Sequence, residues 1–328
     1  MRSEKFIKLA SKILNFVRVS KPIRTSHISP LTFHLRQGAN TMKILFCTDG
    51  SKISYNAISN LSGWVKDAVV DIICVIDWSF LPDEISIEDH NFTVSCANVA
   101  DTVLDYAQRV VEEYGFQIGK RIKHCGSAIE SILEQTEKEK YDLILMGSNG
   151  KKGIQKWLGS VSQEIINSSK ISDYISKAEN NKKKILFTTD GSACSAGIIE
   201  NILPDIQLEG KDVHICMVND DPKFLFLDGN VDQNWILDIQ KQQQIYSANS
   251  IKTIQNFLKH YGVDTTQTAI LTGNPSQKII TYARENEIDL IVLGSRNKSK
   301  LDRFLTGSES KRVLENTMSD VWLVRCPL

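Results

Sequence analysis

The chain has 328 residues, 41% hydrophobic and 24% charged, with 39 basic and 39 acidic side chains and therefore no net charge. That length predicts about two domains and that composition an ordinary globular protein, and no run of eighteen apolar residues offers a membrane span. Charge is unevenly placed: residues 1–41 carry eight Lys or Arg against Glu4 alone, which leaves a mildly acidic body and argues against a broad nucleic-acid surface.

Residues 5–17 place Phe6, Leu9, Ile13 and Phe16 near one helical face and Lys5, Lys8 and Lys12 on the other, before Pro22 and Pro30 end any helix. The segment has the look of a transit peptide or a membrane-surface helix, but Met42 directly before the first strand favours a disordered extension over residues 1–41. From Met42 the elements alternate. A continuous apolar strand at 43–48, of the kind covered on both faces, precedes a helix over 51–67, a strand at 69–76 and a helix over 94–114. A weaker strand at 116–124, a helix over 127–138 and a buried strand at 143–146 follow. The closing strand near Tyr174-Ile175-Ser176-Lys177 is so much less apolar that it reads as an edge or as no strand.

After a polar linker at 178–183 the order returns: strand 184–189, helix 193–203, strand 212–218, helix 234–260, strand 264–271, helix 275–286, strand 289–293 and a strong closing strand at Val321-Trp322-Leu323-Val324. The offset between copies grows from 141 at the first loop to 147 at Gly126 and Gly273, which places six extra residues near 220–233 or in the long helix after them. The alternation predicts an α/β fold of two tandem doubly wound domains with mainly parallel sheets, over residues 42–178 and 183–328. None of the seven cysteines forms a C-x-x-C pair, and Cys47, Cys74 and Cys216 lie in apolar strands as small hydrophobes, which points to a reducing cytoplasm. The six histidines show no ligand spacing, so no metal site is expected.

Two loops repeat almost literally. Asp49-Gly50-Ser51 returns as Asp190-Gly191-Ser192, and Gly147-Ser148 as Gly294-Ser295. Each follows a strand and precedes a helix, so both face the crevice at the carboxyl ends of the strands, where ligands bind in such sheets. In the first copy the second loop runs from Gly147 through Gly150 and Gly153 to Gly159-Ser160-Val161-Ser162. Its glycines permit close backbone approach, Gly159-Ser160 opens a helix whose N–H groups attract an anion, and the Ser160 and Ser162 hydroxyls suit phosphate oxygens. Lys151, Lys152 and Lys156 add positive charge, or are simply solvated. Asp49 and Asp190 read equally as turn or helix N-cap residues, and Gly159-Ser160 as a plain helix start.

These loops, Asp-Gly-Ser after the first strand and Gly-x2-Gly-x(8)-Gly-Ser after the fourth, each in two copies in one order, resemble the universal stress protein family in its tandem form over nearly all of residues 42–328. The resemblance implies a five-stranded sheet per domain in the order 3-2-1-4-5. In the family's ATP-binding branch it also implies ATP or a related adenine nucleotide between the loops, with or without magnesium. Carried over by position, Asp49 would meet the adenosine part, Val75 the adenine, and Gly147, Gly150, Gly159, Ser160 and Ser162 the phosphates. The matching second set is Asp190, Met217, Gly294, Asn297, Gly307 and Ser308.

Both copies depart from the pattern. Lys151–Leu158 gives eight residues before Gly159 where the family has nine. In the second copy Asn297 replaces a glycine and Glu309 follows Ser308; a carboxylate about 4 Å from a phosphate would cost roughly 1–4 kcal/mol. The first copy is therefore the better binder, and the second a dimerising or regulatory partner. The implied function is a stress-response or signalling protein that binds an adenine nucleotide. The alternative is an interaction module that binds none and meets an unknown protein partner through its dimer surface, paired within the chain or as a homodimer. No nucleophile and base pair or Walker lysine marks a dedicated catalyst, and the related adenylating enzymes need a more glycine-rich first loop; slow ATP hydrolysis stays open.

Overall fold

The computed structural model describes residues 41–77, 90–148, 158–177, 179–221, 233–295 and 307–325. All but the last residue of the basic extension, including the helix expected at 5–17, lies outside them. The first half runs β1 (Met42–Thr48), α1 (Lys52–Ser62), β2 (Ala68–Ile76), α2 (His90–Glu113), β3 (Gln117–Cys125), α3 (Ala128–Lys138), β4 (Leu143–Gly147), α4 (Ser160–Ser168) and β5 (Ser172–Ser176). The second runs β6 (Lys184–Thr189), α5 (Ala193–Ile202), β7 (Asp212–Asn219), α6 (Gln233–His260), β8 (Gln267–Thr272), α7 (Pro275–Glu285), β9 (Leu290–Ser295), α8 (Ser308–Asn316) and β10 (Asp320–Arg325).

Each half is a parallel sheet in the order 3-2-1-4-5, and the two halves form one ten-stranded sheet, β3-β2-β1-β4-β5-β10-β9-β6-β7-β8. Apolar side chains alternate across the strands into two layers. One, holding Phe46, Trp64, Phe187 and Trp322, lies under α1, α2, α5 and α6; the other, holding Leu45, Ile144, Leu186 and Leu323, lies under α3, α4, α7 and α8. The strand register moves two of the extra residues of the second half to before β7. Lys43 pairs with Val69 but Lys184 with Asp212, an offset of 143 already at this strand.

The closing strand of the first half is the largest correction to the sequence reading. β5 forms and is central: it pairs with β4 in parallel and with β10 antiparallel, through Ile175 with Val321, Tyr174 with Trp322 and Asp173 with Leu323. Its polar groups are matched across this seam. Asp173, fully buried, takes the Arg325 guanidinium at 2.6 Å. Asp320 accepts from the Tyr174 hydroxyl at 2.9 Å, the Lys177 N–H at 2.7 Å and Asn180 Nδ2 at 3.0 Å. Cations at the ends of the two strands also cross: Lys177 Nζ donates to the Leu314 carbonyl at 2.5 Å and Arg325 Nη2 to the Ile166 carbonyl at 2.6 Å. The linker is pinned as well, since Asp289 accepts from the N–H groups of Asn181, Lys183 and Lys184.

Cysteine placement needs a second correction. Cys47, Cys74 and Cys216 are buried thiols of the core, as their strands imply, but Cys96 of α2 and Cys125 at the end of β3 are joined as a disulfide. Sequence spacing does not show this pairing, because it depends on where a helix crosses an edge strand.

One buried polar position differs between the halves. In the first, Asp71 accepts from the Tyr141 hydroxyl at 2.8 Å and from the Lys120 N–H at 2.7 Å. At the matching place in the second, His214 Nδ1 meets the Tyr282 hydroxyl at 2.9 Å, and burial lowers the His214 pKa. A histidine whose folded pKa lies below its unfolded value near ~6.5 adds stability above that value and loses it as pH falls towards the folded pKa. We expect the thermal midpoint of wild type to fall relative to that of His214→Gln as pH goes from 7.5 to 5.5; a difference between the two proteins that does not change with pH would refute this.

Candidate functional site

The site lies where the strand order reverses, at the carboxyl ends of β1 and β4. After β1 the chain turns sharply at Gly50, whose φ of +79° suits a residue without Cβ. Asp49 Oδ1 accepts from the Ser51 N–H at 3.0 Å, and Ser51, not Asp49, caps α1 through the Ser54 N–H at 3.2 Å. The buried Thr48 and Ser54 hydroxyls share a hydrogen bond of 2.8 Å and lock the turn. Asp49 thus reaches the crevice with its carboxylate only partly used by the turn.

From the other side β4 ends at Gly147, where any Cβ would stand 3.1 Å from the Ser54 nitrogen and from Ile53 Cγ2. The loop closes on itself: the Gly159 N–H donates to the Ser148 carbonyl at 2.6 Å, and Ser162 Oγ donates to the Gly147 carbonyl at 2.9 Å. Gly159 is the N-cap of α4 and offers no side-chain oxygen, so the first N–H groups of that helix look for an acceptor elsewhere.

Between the two sides is a cleft of about 270 Å³. Asp49, Val75, Gly147, Gly159, Ser160 and Ser162 all line it; Gly150 lies outside the described residues. The Ser162 hydroxyl proton is committed to Gly147, so this residue shapes the loop and Ser160 is the freer donor. Sequence reasoning missed the rest of the lining. Ile73, Ile132, Met146 and Val161 give the cleft an apolar wall, beside Cys47, Ala128 and the Thr48–Ser54 pair. Their signal was present: Cys47 alternates with Leu45, Ile73 with Val75, and Ala128 and Ile132 stand four apart on α3. Burial pushes the Cys47 thiol pKa well up, so it is neutral and a poor nucleophile.

The second half repeats the frame. Thr189 and Ser195 share a 2.8 Å hydrogen bond, Asp190 Oδ1 accepts from the Ser192 N–H at 2.9 Å, Gly294 and Ser295 close β9, and Gly307 and Ser308 open α8. Asn297 lies outside the described residues. Met217 does not belong to this set: strand register matches it to Cys74, on the opposite core layer, and the counterpart of Val75 is Val218. A slip of one residue along a strand changes the face of the sheet.

The chain matches the Universal stress protein family over residues 40–177 and again over residues 182–325. It belongs to that family, with two such domains in tandem. A universal stress protein of Methanocaldococcus jannaschii is 28% identical over 157 residues, 48% of this chain and 90% of its own length. One from Synechocystis sp. is 25% identical over 232 residues, 69% of this chain and 72% of its own. The crystal structure of a universal stress protein from Archaeoglobus fulgidus superposes with a TM-score of 0.62, covering 87% of this chain and 98% of that one at 22% identity, a likeness of fold. Among the described residues of this universal stress protein no helix is long and apolar enough to cross a membrane, and no three His, Cys, Asp or Glu side chains are grouped to hold a metal ion.

Proposed function

We propose that the first domain binds an adenine nucleotide, ATP foremost, and that the protein acts in stress response or signalling. The observation that carries this is a two-sided cleft at the switch point. Its apolar wall of Ile73, Val75, Ile132 and Val161 suits a base, and its polar side of Asp49, Ser160 and the α4 N-terminus suits a ribose and phosphates. A magnesium ion held with the phosphates would neutralise part of their charge. Slow hydrolysis is a property to measure, since phosphate release would separate a binder from a catalyst. We place the protein in the cytoplasm, where thiol reductants would open the Cys96–Cys125 pair. The alternative, an interaction module that binds no nucleotide, would meet a partner through surfaces other than the closing strands, because β5 and β10 are paired with each other.

The test is equilibrium titration with a fluorescent ATP analogue. Saturable binding near one per chain is expected, and none up to millimolar would end the proposal. Gly159→Asp sharpens it. Aspartate is a better helix N-cap than glycine by a few tenths of a kcal/mol, so α4 and the fold should hold or gain. The same carboxylate about 4 Å from a phosphate costs roughly 1–4 kcal/mol, a loss of affinity from several-fold to several-hundred-fold. Unchanged affinity with an unchanged thermal midpoint would place the phosphates elsewhere.

A further inference from the structure

Of the positions that line the first cleft, one changes from an apolar to a charged side chain in the second half. α4 and α8 open alike: Gly159 and Gly307 are N-caps with φ of −62° and −67° and ψ of 152° in both, and the hydroxyls of Ser162 and Ser310 each turn back to the carbonyl of Gly147 or Gly294. Immediately before those serines stand Val161 in the first half and Glu309 in the second. Val161 packs on the apolar layer and leaves the cleft open.

Glu309 does something else. Its Oε2 accepts from the Ser276 N–H at 2.9 Å, in the first turn of α7, and its Oε1 accepts from Arg312 Nη1 at 3.1 Å. Ser276 corresponds to Ile129 in α3, since Gly126 and Gly273 share a positive φ and the next residues, Ser127 and Asn274, are the N-caps. The side chain therefore bridges from α8 to α7, across the span that Val161 and Ala128 border in the first half.

We infer that Glu309 is a built-in ligand that closes the second cleft, and that the second domain holds a latent site for the same class of ligand as the first. This rests on the nucleotide reading of the first domain. A carboxylate at the start of a helix is favourable there, so closure needs no conformational change and persists without a ligand. The protein is accordingly a one-site chain in which the second domain keeps its frame, with Thr189, Asp190, Gly294 and Ser308 in place.

The experiment is titration of the full chain with a fluorescent ATP analogue, in wild type, Gly159→Asp, Glu309→Val and the double variant, each checked for folding by circular dichroism. Wild type should bind about one per chain, Gly159→Asp at least several-fold more weakly, Glu309→Val about two, and the double variant about one through the second domain. If wild type binds one and Glu309→Val still binds one, the inference fails and the reading of the first domain stands. If no protein of the set binds, that reading falls and the inference with it. Amide exchange at Ser276 gives a check without ligand: it should quicken in Glu309→Val and in Glu309→Ala, and unchanged exchange in both would show that the carboxylate does not hold the cleft shut.

Discussion

Arg325→Met should cost about 3–5 kcal/mol of unfolding free energy, read as a shift of the urea midpoint, because it strands a charge in the middle of the sheet. Asp173 is fully buried and its Oδ1 has no hydrogen-bond partner among the described residues, so Arg325 is what compensates this carboxylate. Burial raises the Asp173 pKa to about 7 even against the pull of the guanidinium. A carboxyl whose folded pKa exceeds its unfolded value near ~3.9 binds more protons when folded, so stability falls as pH rises from that value to the folded pKa. Removing Arg325 raises the folded value further and extends this window upward, so the deficit of Arg325→Met should be smaller at pH 5 than at pH 8. Adding Asp173→Asn to Arg325→Met should recover part of the loss, since it removes the stranded charge. A single-variant cost below about 1 kcal/mol, of the size seen for exposed pairs, would mean that water reaches the seam.

Reducing the Cys96–Cys125 disulfide should cost about 3–4 kcal/mol. The bond closes a loop of 29 residues, and the chain-entropy relation gives that range for a loop of this length. The constraint lies between α2 and the edge strand β3, so the loss belongs to the unfolded chain's new freedom. Thermal unfolding with and without a dithiol, beside Cys96→Ser, should show the reduced wild type and the variant falling together. A reduced protein as stable as the oxidised one would place these two thiols apart in solution.

Much of this was legible in the residues. The duplicated Asp-Gly-Ser and glycine-rich loops located both crevices, and strand–helix alternation located nearly every element, because parallel strands covered on both faces are apolar without interruption. What escaped was set by distant partners. Ser172-Asp173-Tyr174-Ile175-Ser176 looks too polar for a central strand until Arg325 and Asp320 are placed against it. The Met217 assignment slipped by one because the two residues inserted before β7 cannot be located from the loops alone. Glu309 was legible as a repulsive charge near a phosphate, but its hydrogen bond to Ser276 needed the helix positions.

The β5–β10 seam joins parts of one chain, so its formation does not depend on protein concentration. A short linker gives an effective concentration on the order of millimolar, and dilution does not separate the halves. In a homodimer of identical subunits every substitution enters twice, and a carboxylate that closes one cleft closes both. Here each change enters once. The seam can thus keep its two-sided match while the clefts on either side of it diverge, one open and one filled.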